Sequence, residues 1–247
     1  MAGTAGSGKS QLTASILAWY RDRSISAAAL NLDPGVQSLP YQPEVDIRDT
    51  IDIASIMDSY SLGPNGALIL ATDLIASRIP QIQDDVDSLN VEHIIVDTPG
   101  QMELFAFRES GPFIARGLEA DSKLTLFLID SLVASSPANF LSLVMFAAAV
   151  KLRMNLPQIP VLSKTDLAPK GVREVVRWSK ESSSFEEALS KLKSGEEYSL
   201  FSRLYRSLKE LSFSVDLYPV SSFTGEGLLA LMGEISRIAK AGEELED

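Results

Sequence analysis

The sequence predicts an α/β fold, a doubly wound and mostly parallel sheet carrying a helical insertion, and three observations predict it. Short apolar runs alternate with helix-like stretches along the 247 residues. The runs are continuously apolar rather than alternating, which means strands covered on both faces. A glycine-rich segment opens the first helix, the arrangement that gathers anions at a helix N-terminus.

Taken in order, the elements are a helix from Lys9 to about Arg21, a strand from Ala27 to Asp33, and a Pro-rich loop through SLPYQP. Helices follow near Ile51 to Tyr60 and Asn65 to Ser77. The later strands are HIIVD (His93 to Asp97), LTLFLID (Leu124 to Asp130), IPVLS (Ile159 to Ser163) and VDLYPVS (Val215 to Ser221), each leading into a helical stretch. In doubly wound folds ligands sit at the carboxyl ends of the strands, so chemistry is expected there. No break in composition asks for a second unit, and one domain over residues 1–247 is the expectation. Within it, residues 170–213 turn charged and Ser-rich with apolar residues at helical intervals, and read as a helical insertion with solvated faces. The tail AKAGEELED reads as frayed and acidic.

Acidic residues outnumber basic ones by 33 to 22, a net charge of −11. A protein that coats nucleic acid or an anionic membrane needs a broad positive surface, so neither partner is expected and anions must be caught locally. The chain has no cysteine, which excludes disulfides, thiolate metal sites and cysteine nucleophiles and fits a reducing compartment, the cytoplasm. The longest apolar run, Phe140 to Val150, falls short of the ~20 residues of a bilayer span and reads as core helix. No basic-then-apolar leader opens the chain.

GTAGSGKS, Gly3 to Ser10, fits G-x-x-x-x-G-K-[ST], the phosphate-binding P-loop. The backbone of Gly3, Ala5, Gly6, Ser7 and Gly8 can wrap phosphates, Lys9 can reach the β and γ oxygens, and the Ser10 hydroxyl can ligate Mg²⁺. The expected fold is therefore of the P-loop NTPase type. Because the pattern begins at residue 3, the buried strand that feeds such a loop has no room, and upstream residues are expected to supply it; an open slot in the sheet is the costlier alternative.

DTPGQ, Asp97 to Gln101, lies where the HIIVD strand ends. Asp97 there can hold Mg²⁺ through water, and the N–H of Gly100 can sense a γ-phosphate. Gln101 can orient a water by donating and accepting at once, or it is an exposed amide capping the next helix. Asp33 in NLDPG is a second group for the metal shell or the attacking water, or a turn aspartate before proline. His93 reads as a solvent-exposed or capping imidazole, and Asp130 marks another strand end.

With GTAGSGKS, NLDPG, LPYQPEVDIRD, GPNGA and DTPGQMELF in this order, the sequence resembles the GPN-loop GTPases from the P-loop through residue 110. Taken alone, Gly63, Pro64 and Asn65 are a helix N-terminal turn. The resemblance implies an archaeal-type homodimer in which this loop of one subunit reaches the nucleotide site of the other, with Asn65 acting across the interface. It also implies water-positioning roles for Asp33 and Gln101, Asp97 near Mg²⁺, and a protein client in assembly.

VLSKTD, Val161 to Asp166, resembles the guanine motif N-K-x-D. The Asp166 carboxylate can accept two hydrogen bonds from the guanine edge while the Lys164 stem lies along the ring. Ser163 stands where asparagine is usual, a shorter residue without the amide, which weakens guanine preference. Ser221 and Ser222 sit at a strand end where the resemblance implies backbone contacts to the base; an ordinary turn is the alternative. The function expected is Mg²⁺-dependent hydrolysis of GTP to GDP and phosphate by a nucleotide-switched homodimer. A P-loop ATPase or small-molecule kinase, and a slow-turnover nucleotide-binding assembly adaptor, are the alternatives.

Overall fold

The structure, a computed structural model, describes residues 1–192, 194–210 and 216–243. The chain divides into two compact units, Met1–Lys123 with Arg153–Asn155, and Leu124–Leu152 with Leu156–Asp247. Lys193 and residues 211–213 of the expected insertion, Val215 of the expected last strand, and the end of the acidic tail lie outside the described residues. The class expected, α/β with parallel sheets, is the one observed.

The first unit begins with β1 (Ala2–Gly3), two buried residues, so the stretch ahead of the phosphate loop forms a short strand rather than none. Thr98 Oγ1 donates to the carbonyl of Met1 at 2.6 Å and ties this start of the chain to the segment after β4. Next come α1 (Lys9–Arg21), β2 (Ala27–Asn31), β3 (Val45–Asp46), α2 (Ile53–Tyr60), α3 (Pro64–Ser77) and α4 (Ile79–Ser88). The unit continues with β4 (His93–Asp97), α5 (Met102–Ala106) and α6 (Ser110–Gly117). In α1 the spacing of Leu12, Ile16, Leu17 and Tyr20 lines one face, and that face is buried against β2 and β4. Arg21 in its last turn complements the helix dipole. The Asp52 carboxylate caps α2 by accepting from Ala54 N at 3.0 Å, and Pro64 begins α3 at a position where its missing N–H costs nothing.

Strand β2 pairs in parallel with β3 on one side and β4 on the other. The register sets Asn31 opposite Asp46 and Asp97, so three polar residues stand in a row at the carboxyl edge of an otherwise apolar sheet. Strand β2 ends at Asn31, two residues before the end expected from sequence. The Asn31 side chain explains the stop: its Oδ1 accepts from Asp33 N at 3.0 Å, turning the chain out of the sheet.

The second unit holds β5 (Thr125–Asp130), α7 (Pro137–Met154), β6 (Gln158–Ser163), α8 (Pro169–Lys180), α9 (Ser182–Ser190), α10 (Gly195–Glu210), β7 (Tyr218–Pro219) and α11 (Leu228–Glu243). The β5, β6 and β7 strands are parallel. Every residue of β5 is buried, as its continuous apolarity requires. Among the described residues of VDLYPVS, Tyr218–Pro219 pairs as strand, and proline, lacking an N–H, limits how far a ladder can extend there. Gly227 has φ +80°, and a Cβ on it would stand 1.9 Å from the Pro219 carbonyl oxygen, so only glycine lets this return pass the end of β7.

Helix α7 is core as expected, with Phe140, Leu141, Val144, Ala147 and Val150 buried. It is long and apolar enough to cross a membrane by length and composition, and half of it is buried inside the protein. Phe140 anchors the helical segment. Its ring lies 5.9 Å from Trp178 of α8, 5.7 Å from Phe185 of α9 and 6.4 Å from Tyr205 of α10. Phe185 and Tyr205 stack at 4.2 Å, and the Tyr205 hydroxyl is satisfied by the Trp178 carbonyl. Ring pairs of this kind contribute about 0.5–1.5 kcal/mol each beyond the area they bury. The aromatic residues at helical intervals therefore hold α8, α9 and α10 to α7, and the charges of these helices form surface pairs such as Arg206 with Glu186 at 2.6 Å.

Candidate functional site

In the first unit the phosphate loop runs between β1 and α1. Gly6 (φ +73°) and Gly8 (φ +94°) are left-handed, and Gly8 caps α1 with no side chain in the way, so the loop's N–H groups are free of Cβ crowding at the helix N-terminus. Lys9 is the first helical residue and is only 6% exposed. Its ammonium donates to the carbonyls of Gly3 at 2.9 Å and Thr4 at 3.1 Å, which folds the side chain back along the loop. Burial lowers its pKa, and the negative charges of Asp97, Asp33 and Glu103 push the other way. The cation therefore sits within electrostatic reach of both expected acidic groups. Ser10 follows, half-buried.

At the carboxyl edge of the sheet, Asp33 accepts from Gly35 N at 2.9 Å through Oδ1 and from Gly100 N at 3.2 Å through Oδ2. The N–H expected to sense a γ-phosphate is thus already aimed at an anion. Burial raises the Asp33 pKa; the two backbone donors offset part of that, Asp97 adds to it and Lys9 reduces it. A carboxyl held above its ordinary range is a better proton acceptor than a free aspartate.

Asp97 is 1% exposed. Its Oδ2 accepts from the Tyr41 hydroxyl at 2.9 Å, while its Oδ1 is buried with no hydrogen-bond partner among the described residues. Burial, and then the Asp97 charge, raise the Tyr41 pKa, so the phenol stays a donor. A buried carboxylate oxygen without a donor is costly and suits a hard cation that takes oxygen ligands. Among the described residues no group of three His, Asp or Glu side chains could cage a metal by itself. Mg²⁺ needs none, because it is commonly held by one or two protein oxygens together with phosphates and waters. Asp97 therefore fits the ion expected from sequence.

Gln101 Nε2 donates to Asn65 Oδ1 at 3.1 Å, which joins the Gly63–Pro64–Asn65 turn to DTPGQ within one protomer. Gln101 Oε1 is buried without a hydrogen-bond partner among the described residues. Gly63, Pro64 and Asn65 are exposed at the start of α3.

The second unit carries the residues of the guanine motif at the end of β6. Lys164 takes a left-handed backbone (φ 57°), and its ammonium pairs with Asp130 Oδ2 at 2.7 Å. Ser131 Oγ donates to the Lys164 carbonyl at 2.9 Å, so the ends of β5 and β6 are stitched together. The buried Ser163 hydroxyl donates to the Ile129 carbonyl at 3.2 Å. Asp166 is exposed and accepts through Oδ1 from Ser221 Oγ at 2.7 Å. Ser221 in turn accepts from Thr224 N at 3.1 Å. The serine just past β7 therefore orients the Asp166 carboxylate through its side chain. Ser222 follows in the same turn, half-buried.

Several participants were not singled out from sequence. Asn31, fully buried, bridges Asp33 and Asp46, with its Nδ2 at 2.9 Å from Asp46 Oδ1. Burial would raise the Asp46 pKa, but Arg48 and these donors hold it below the ordinary range. Asn31 and Tyr41 both lie inside segments that carried the family resemblance, and that was the only signal for them. His93 stacks on Tyr20 at 4.5 Å, a packing role on the face of α1.

A family model described as a conserved hypothetical ATP binding protein matches residues 1–241. GPN-loop GTPase 1 of Saccharomyces cerevisiae is 32% identical over 237 residues, 91% of this chain and 61% of the yeast protein. The chain therefore spans 61% of that relative's length. A GPN-loop GTPase of Pyrococcus abyssi is 34% identical over 175 residues, 70% of this chain and 68% of that one. The crystal structure of the Pyrococcus abyssi protein, described as a GTPase in apo form, matches with a TM-score of 0.85 at 28% identity, over 96% of this chain and 95% of that one.

Proposed function

We propose, for a chain that belongs to the GPN-loop GTPase family, that it hydrolyses GTP to GDP and phosphate in a Mg²⁺-dependent reaction and works as a nucleotide-switched homodimer. The observation that carries the reading is the meeting of Lys9, Asp33, Asp97 and the Gly100 N–H in the first unit. These are a cation for the β and γ oxygens, a raised carboxyl, a metal-side carboxylate and a γ-phosphate sensor.

In the reaction, a water oxygen forms the new bond to the γ phosphorus, and the bond to the β–γ bridging oxygen breaks to release GDP. The loop N–H groups and Lys9 offset charge on the oxygens. Gly100 N–H can exchange Asp33 for a γ-phosphate oxygen, which frees Asp33 Oδ2 to accept a proton from the water. Gln101, held by Asn65 through Nε2, offers Oε1 to the same water. Ser10 and Asp97 would hold Mg²⁺, which would supply positive charge to offset that of the phosphates. Asp166, steadied by Ser221, chooses guanine, with the Lys164 stem against the ring. Loss of the γ-phosphate returns Gly100 to Asp33, a local change of the kind that drives nucleotide switches.

The homodimer is supported by the exposure of Gly63, Pro64 and Asn65, which leaves the loop able to reach a partner's site. Cytoplasmic residence and a protein client in assembly belong to the same proposal. A second reading, ATP hydrolysis, has two points in its favour: the description of the matching family, and Ser163, whose hydroxyl is turned onto the strand.

The test is phosphate release from GTP, with Mg²⁺ and with chelator, across a range of protein concentrations. Turnover is expected only with Mg²⁺, with specific activity rising and then levelling as dimers form. Asn65→Ala is expected to slow turnover about tenfold to a hundredfold while nucleotide affinity holds. Mixing Asn65→Ala with Lys9→Ala separates the two settings for Asn65: a site completed between subunits regains activity in the mixture. Failure to regain it removes the trans role and leaves Asn65 acting through Gln101 in its own protomer.

A further inference from the structure

We propose that Tyr41 is a positioning residue for the metal, its hydroxyl fixing Asp97 so that one carboxylate oxygen, Oδ1, is presented to Mg²⁺. The proposal rests on the reading of Asp97 as the metal-side carboxylate.

The geometry divides the labour between the two oxygens of one carboxylate. Oδ2 is occupied by the Tyr41 O–H at 2.9 Å, and Oδ1 is buried and has no hydrogen-bond partner among the described residues. An aspartate has a soft, roughly two-fold χ2, so without a donor on one side its oxygens exchange roles readily. A directional phenol O–H removes that freedom before any ion arrives.

Such a donor works only if it is itself held, and the loop carrying Tyr41 is pinned on both sides. After it, Glu44 grips β2 twice: its carboxylate accepts from Ala29 N at 2.7 Å, and its own N–H donates to Ala29 O at 3.0 Å. Before it, the Val36 carbonyl accepts from Arg48 Nη1 at 3.0 Å. Arg48 is fixed by Asp46, whose carboxylate it meets at 2.6 Å, and Asp46 is fixed in turn by the buried Asn31. The Pro-rich segment is therefore a brace on the sheet edge, and Tyr41 is where the brace touches Asp97. Groups that orient a metal ligand from behind commonly change metal affinity 10- to 100-fold when removed.

The experiment is titration of Mg²⁺ by calorimetry into the whole chain saturated with a non-hydrolysable GTP analogue, for the parent protein, Tyr41→Phe and Asp97→Asn. Tyr41→Phe is expected to raise the Mg²⁺ concentration for half-saturation about tenfold or more. Affinity for the analogue in chelator is expected to stay at the parent value, which a merely structural role for the ring would not preserve. Asp97→Asn is expected to raise the Mg²⁺ requirement at least as far. An unchanged Mg²⁺ midpoint in Tyr41→Phe, with Asp97→Asn strongly shifted, overturns the role of Tyr41 alone. Unchanged midpoints in both variants overturn the assignment of Asp97, and the proposal with it.

Discussion

Replacing Lys9 with alanine is expected to lower kcat/KM for GTP by about 10³-fold, the scale of losing one preorganised charge aimed at the transition state. The site pays for this group before substrate arrives. Lys9 is 6% exposed, and burial pulls its pKa down against the pull of Asp97, Asp33 and Glu103. Removing the ammonium leaves Asp97 and Asp33 to repel each other and any phosphate, so the loss falls on binding as well as turnover. With Lys9 serving, as proposed, the γ as well as the β oxygens, affinity for GTP is expected to fall further than affinity for GDP. Lys9→Arg is not expected to restore the rate, since a planar guanidinium does not reproduce a compact point charge inside a tight loop. Steady-state kinetics and calorimetry with both nucleotides check this, and a Lys9→Ala protein with near-parental kcat/KM would remove Lys9 from the chemistry.

Asp166→Asn is the second large effect: KM for GTP is expected to rise about 10²- to 10³-fold with kcat at saturation largely kept. Guanine offers two N–H donors along one edge, and a carboxylate can accept both while still accepting from Ser221 at 2.7 Å. An asparagine has one acceptor oxygen, so at least one hydrogen bond to a charged group is lost and a donor faces a donor; each such loss costs about 1.5–3 kcal/mol. Xanthine carries an oxygen where guanine has its amino group, so xanthosine triphosphate is expected to become the better substrate of Asp166→Asn. Comparing KM for the two nucleotides is the check. A GTP KM that does not move would mean that Asp166 makes no contact with the base.

Much of this site was legible in the sequence, and what was missed has a common physical cause. Helix α1 spans the expected residues Lys9–Arg21 and β4 the expected His93–Asp97, because apolar spacing and the P-loop glycines are local signals. The pairings that give the residues their roles join positions far apart: Asp33 with Gly100, Tyr41 with Asp97, Asn65 with Gln101, Lys164 with Asp130, and Asp166 with Ser221. Periodicity encodes which face is buried, and it is silent on which side chain a strand end meets across the sheet. The end of β2 was misjudged for the same reason, since Asn31 reads as one more strand residue until its amide is seen to close the turn onto Asp33. The hydrogen bond from the Ser221 hydroxyl to Asp166 was likewise not legible, because it joins residues 55 positions apart.

The central claim is that the chain turns over GTP, with Lys9, Asp33 and Asp97 as the proposed phosphate-site residues and Lys164 and Asp166 as the proposed base selectors. The most direct measurement is Mg²⁺-dependent phosphate release from GTP and from ATP under the same conditions, with each nucleotide also tested as a competitor of the other. The account predicts turnover of GTP, little turnover of ATP, and inhibition by GDP but not ADP. Equal turnover of both nucleotides would contradict the guanine assignment and establish the ATPase reading; bound nucleotide with no turnover of either would contradict hydrolysis itself.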